Sequence, residues 1–115
     1  MGIFHWLETS PVVREFEVAE FREWASGYYY RVDVTLRDGS LLHAREFFNP
    51  EERHYSFHWQ TAAGALIVRW DDAPHHRGLE TFPYHVHEGD TIKMSLPVSL
   101  REVLAEIEKR IGTSG

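Results

Sequence analysis

Between positions 71 and 87 the chain reads DDAPHHRGLETFPYHVH, a run with four of its eight histidines. Imidazole exchanges protons near neutral pH and is the commonest protein metal ligand. Two chemistries therefore compete for this stretch. His85 and His87 are two apart, so on an extended segment both face the same way. With one of the adjacent pair His75 and His76 they would converge as a catalytic zinc or manganese site. The helical H-E-x-x-H pattern that marks many zinc hydrolases is absent.

The second chemistry needs no metal. Arg69 and Asp71 alternate outward at the end of the strand that leads into the stretch. His58 and His54 share a face on the strand expected to pair with it, and Arg45 lies on the strand before that. Histidines and arginines on neighbouring strands are what metal-free phosphodiester cleavage requires. One group takes the 2′-hydroxyl proton, a second protonates the leaving oxygen, and an arginine stabilises the charge developing at phosphorus. The plainer alternatives are loop histidines that satisfy backbone groups and a solvated sheet face with cross-strand charge pairs. Among the aromatic residues, Trp59 and Trp70 fall on the apolar sides of their strands and read as core. Phe82 and Tyr84, inside the stretch, are the candidates for contact with a ligand or partner.

These side chains need a frame, and period-two alternation supplies it. YYYRVDVTLR sets Tyr28, Tyr30, Val32, Val34 and Leu36 on one face and Tyr29, Arg31, Asp33 and Thr35 on the other. Asp38-Gly39 offers positive-φ residues for a hairpin turn. LLHAREFF returns, RHYSFHWQ and ALIVRW alternate again, and TIKMS adds another strand. Upstream, VVREFEVAEFREW reads as a strand with a bulge at Val18-Ala19. The period then changes. SLREVLAEIEKRI carries Leu100, Val103, Leu104, Ile107 and Ile111 on one helical stripe, with a capping box at Ser99 and Glu102 and a stop at Gly112. The expected fold is α+β: one antiparallel meander of five or six strands, with a C-terminal amphipathic helix packed on its apolar face. Residues 1–115 read as one domain with its core at about 12–111, and HWLET near the start fits a short helix or an extended arm.

Composition narrows the function. The net charge of −6 argues against a protein that coats nucleic acid non-specifically. The absence of cysteine excludes disulfides, thiolate zinc sites and cysteine nucleophiles. No apolar run approaches the roughly 18 residues of a membrane span, and no basic-then-apolar leader opens the chain. The expectation is a cytoplasmic protein without a membrane partner.

The ordered blocks HYSFHWQ, LIVRWDDAPHH, ETFPYHVHEGD and SLREVLAEI resemble the TumE family, toxin components of small bacterial and archaeal toxin–antitoxin pairs. The likeness runs from about Val12 to Ile111. Asp72 stands where the family usually has asparagine, and Tyr84 where a histidine is frequent. The resemblance implies a cytoplasmic toxin silenced by a helix-turn-helix antitoxin. By analogy with toxins of this size, it implies a ribonuclease acting on mRNA, free or on the ribosome. Under that reading Arg69 holds the scissile phosphate, and His76 and His87 exchange protons, with His75 and His85 close behind. Asp71 orients an imidazole, His58 borders the site, and Arg45, Arg77, Phe82 and Tyr84 bind substrate. No cofactor is then needed, and a homodimer is compatible. The rivals are a zinc or manganese hydrolase on His75, His85 and His87, and a binding module that acts by sequestering a protein.

Overall fold

The computed structural model describes residues 2–72 and 84–112. A short helix α1 (Ile3–Thr9) opens the chain. Seven strands follow: β1 (Val13–Trp24), β2 (Gly27–Leu36), β3 (Leu41–Asn49), β4 (Glu52–Gln60), β5 (Leu66–Asp71), β6 (His85–Glu88) and β7 (Thr91–Met94). Helix α2 (Leu100–Ile111) closes it. The strands form one antiparallel sheet in chain order, a meander without crossovers. The expectation of five or six strands therefore needs correction, since the structure holds seven. The strand it missed is β6. Its four residues hold a single aliphatic side chain, Val86, too little alternation to stand out beside Pro83 and Gly89.

The turns follow their residue chemistry. Gly39 takes a φ of 89°, but Asp38 does not join it, because no non-glycine among the described residues has positive φ. The Asp38 carboxylate instead accepts from the Ser40 backbone N–H at 2.9 Å, locking the turn from its side chain. At the other hairpin end Gly27 is required for space, since a Cβ there would sit 2.0 Å from the Phe48 carbonyl oxygen. The bulge expected at Val18-Ala19 appears as a register shift between Val18 and Glu20.

One face of the sheet is core. Tyr30, Val32, Val34, Leu42, Phe57, Trp59 and Val68 are buried there with Leu100, Val103, Leu104 and Ile107 of α2 and Ile3 and Leu7 of α1. The Trp59 indole N–H donates to Ser40 Oγ at 2.9 Å, so its polar atom is satisfied inside. Helix α2 begins with the expected capping box, Ser99 and Glu102 bonding reciprocally, and ends at Gly112. A polar clamp interrupts the apolar face. Glu46, buried, accepts from the Tyr30 hydroxyl at 2.8 Å and from Arg53 Nε. Arg53 also donates to the Val98 carbonyl at 2.6 Å, tying the sheet to the segment that leads into α2. Burial, followed by the Glu46 carboxylate, holds the Tyr30 hydroxyl protonated well above the ordinary phenol range.

A candidate active face of the sheet

Because the strands pair antiparallel in chain order, the register lines up residues far apart in sequence. One transverse row on the open face reads Asp33, His43, His58, Arg69 and His87, each opposite the next across β2 to β6. The row beside it reads Arg31, Arg45, Ser56, Asp71 and His85. A third contains Tyr29, Phe47 and His54. Strand pleating puts all three on the face opposite the core. A cavity of about 340 Å³ opens there, lined by Arg31, Asp33, His43, Arg45, His58 and Arg69 among others.

Toward β6 the polar groups sink inward. Asp71 and His85 are almost fully buried, with His85 Nε2 2.7 Å from Asp71 Oδ1. Arg69 Nε lies 2.8 Å from the other carboxylate oxygen, so Asp71 bridges an imidazole and a guanidinium. The His87 ring packs edge-on against His85 with centroids 4.8 Å apart. One ligand-type atom from each of Asp71, His85 and His87 falls within a 4.8 Å cluster.

The middle of the face is more open. His43 Nδ1 lies 2.7 Å from Asp33 Oδ1, both side chains about half exposed. The His43 and His58 rings are 6.4 Å apart between centroids. Partial burial, then Arg69 and His43, lower the pKa of His58 below its ordinary value, favouring the neutral ring. His54, at the other end of β4, goes the opposite way. Its hydrogen bonds to Glu52 and Asp72, each 3.0 Å, raise its pKa. The aromatic row flanks these cations: Phe47 packs against Trp24 at 5.7 Å and His54 at 6.4 Å, and the Arg22 guanidinium lies 5.5 Å over the Tyr29 ring.

The structure thus brings Arg69, Asp71, His85, His87 and His58 into two adjacent rows, with Arg45 across from Ser56. Tyr84 stacks on Tyr55 at 6.4 Å, with their planes 8° apart, and packs against the core. His75, His76, Arg77 and Phe82 lie outside the described residues. Three members of the face were not singled out from sequence: Arg31, Asp33 and His43. Counting outward from Asp38-Gly39 as a two-residue turn would pair Asp33 with Ala44, but the loop has three residues, closed by Leu36 and Ser40, and this sets Asp33 opposite His43 and Arg31 opposite Arg45.

Among the described residues no helix is long and apolar enough to cross a membrane. No curated protein and no solved structure matches the chain. A family model does, over residues 3–111; its description is Toxin TumE.

Proposed function

This chain belongs to the TumE toxin family, and from that premise we propose that it acts by metal-independent cleavage of single-stranded RNA on the open face of its sheet. The observation that carries the reading is the row of Asp33, His43, His58, Arg69 and His87, with Arg31 and Arg45 beside it. Imidazoles supply proton transfer without a metal, and guanidiniums supply the positive field for a phosphorane-like transition state. Arg69 is fixed by Asp71, so its charge is in place before substrate arrives. Tyr29 and Phe47 offer flat surfaces for unpaired bases, a form of binding that tolerates many sequences. His85, pinned by Asp71 and buried, serves as a support for Arg69 and His87. In the cell, a helix-turn-helix antitoxin would be the partner that silences the protein.

A second reading has its own observation, the cluster of Asp71, His85 and His87. These are zinc-type donors, and Asp71 takes the place that His75 holds in the sequence-based set. Against it, Arg69 already puts a positive charge on the same carboxylate, where a second cation would be repelled.

The deciding experiment is cleavage of a mixed-sequence single-stranded RNA by the purified protein in excess chelator, beside Arg69→Gln. We expect cleavage to survive chelation and to fall about 10²-fold in the variant. Activity that vanishes with chelator and returns with zinc or manganese would transfer the reading to Asp71, His85 and His87. No cleavage under any of these conditions would overturn it in favour of toxicity by binding.

A further inference from the structure

We infer that His58 and His43 are the proton-transfer pair of this face, His58 as base and His43 as acid, with Asp33 as the positioning residue for His43. The inference rests on the ribonuclease reading above. It moves the acid–base pair from His76 and His87 to the middle of the sheet.

The geometry carries it. His43 and His58 are direct cross-strand partners on β3 and β4, so the sheet itself holds the two rings in fixed relation. Their centroids are 6.4 Å apart. Two hydrogen bonds of roughly 3 Å to opposite oxygens of one phosphodiester span a separation of this order. Both rings line the open-face cavity together with Arg31, Arg45 and Arg69, three cations that face a phosphate placed above the pair.

The two rings differ in surroundings, and the difference assigns the roles. His58 lies between Arg69 on β5 and His43 on β3, with Gln60 beside it on its own strand. That positive neighbourhood and its partial burial favour the neutral ring, which a base requires. His43 is the more exposed ring and carries a carboxylate at Nδ1, 2.7 Å away on β2. Asp33 thereby fixes the ring and leaves Nε2 as the nitrogen that meets substrate. In its acid role His43 carries both protons, one donated to Asp33 and one held on Nε2.

The step balances as follows. His58 accepts the 2′-hydroxyl proton while the 2′-oxygen forms a bond to phosphorus. The bond from phosphorus to the 5′-oxygen breaks, and its electron pair stays with that oxygen. His43 Nε2 gives its proton to the same oxygen. The products are a 2′,3′-cyclic phosphate and a 5′-hydroxyl, with His58 protonated and His43 neutral. Exchange with water restores both rings.

The test uses two substrates of one sequence, ordinary RNA and RNA with a single 5′-bridging sulfur. A thiolate leaves without needing a proton, so the sulfur substrate bypasses the acid but not the base. We expect His43→Gln to lose about 10²-fold on ordinary RNA and to return within about tenfold of the unaltered protein on the sulfur substrate. His58→Gln should lose about 10²-fold on both. Asp33→Asn should lower kcat with KM unchanged on ordinary RNA, and this defect too should disappear on the sulfur substrate. Because His43 and Asp33 are about half exposed, thermal unfolding of these variants should be unchanged. Full activity of His43→Gln on ordinary RNA, or equal loss on both substrates, overturns the assignment. If sulfur-specific rescue belongs to His87→Gln instead, the ribonuclease reading stands and the pair named here is wrong. Absence of cleavage by the unaltered protein removes both.

Discussion

Replacing Glu46 by leucine removes a carboxylate buried on the core side of the sheet and strands its partners Tyr30 and Arg53. The Tyr30 hydroxyl, fully buried, loses its acceptor at 2.8 Å. Leaving such a donor unsatisfied costs about 1–3 kcal/mol. The Arg53 guanidinium loses its counter-charge, and breaking a buried ion pair typically costs about 3–5 kcal/mol. Arg53 does not meet that full figure. Its side chain is about a quarter exposed, it still donates to the Val98 carbonyl, and it still lies 4.4 Å over the Tyr55 ring. A combined loss of about 3 kcal/mol follows from these corrections. For a domain of this length each kcal/mol moves the melting temperature by about 4 °C, so Glu46→Leu should melt about 12 °C lower. Differential scanning calorimetry at pH 7 reads the shift. The partition is checked by adding Tyr30→Phe, which removes the orphaned hydroxyl and should recover about 1 kcal/mol, or about 4 °C. A Glu46→Leu melt within about 3 °C of the unaltered protein would refute the account, because the clamp would then carry no net stability. A double variant that melts lower than Glu46→Leu would refute the part assigned to Tyr30.

Two further predictions concern charge. In an NMR titration His54 should titrate above the usual histidine value of 6.5 and His58 below it, since carboxylates hold the first while burial, Arg69 and His43 oppose the second. For stability the signs are opposite. The His54 contribution is present below 6.5 and fades as pH rises through its raised pKa, whereas His58 costs stability as pH falls below 6.5, where the unfolded chain gains the proton first. Asp72→Asn should bring His54 down while keeping the Tyr55 N–H bond, because an amide oxygen can still accept it. A His54 that titrates below His58 would contradict the assigned contacts. For binding, if Arg31, Arg45 and Arg69 are the phosphate contacts, log affinity for an uncleavable 2′-deoxy single strand should fall with log salt at a slope of about −2. A slope near zero would exclude gripping of phosphates by this face.

The meander was legible because each strand from β2 to β5 alternates over six residues or more, and every turn between them contains glycine, asparagine or proline. Two positive-φ glycines, Gly39 and Gly64, end strands where the alternation breaks. Helix α2 was legible for the same reason at another period, with its cap at Ser99. β6 was not, because a four-residue strand with histidines at alternate positions shows no hydrophobic alternation. The site was half legible. Residue types drew attention to Arg69, Asp71, His85 and His87, and their placement in adjacent rows needs only the pairing of β5 with β6. His43 and Asp33 drew none, since a histidine and an aspartate on separate strands have no sequence spacing that signals contact. They meet because the β2–β3 register sets them opposite each other. Tyr84, a candidate ligand contact from sequence, packs on Tyr55 at the edge of the core, a placement its loop position did not signal.

A net charge of −6 argues against RNA as a partner, but many of the acidic side chains lie away from the middle of the open face. Glu102, Glu106 and Glu108 ride on α2, on the core side of the sheet, and Arg110 holds Glu106 and Glu88. Glu15 and Glu17 sit at the β1 edge, opposite Thr35 and Asp33. What is left in the middle of the open face is Arg31, Arg45 and Arg69 with His43 and His58, around the single carboxylate of Asp33 that lines the same cavity. An acidic surround repels a long polyanion, while a small cationic centre still attracts the phosphates that reach it. Under the proposed ribonuclease reading, such a face would bind a few nucleotides weakly and rely on positioned side chains rather than on long-range attraction. If the proposed RNA cleavage holds, that arrangement would let the protein act on exposed single-stranded segments without being titrated by the bulk of cellular RNA. The proposed rate would then depend on the geometry of one row of the sheet, where a hydrogen-bonded ladder allows little drift.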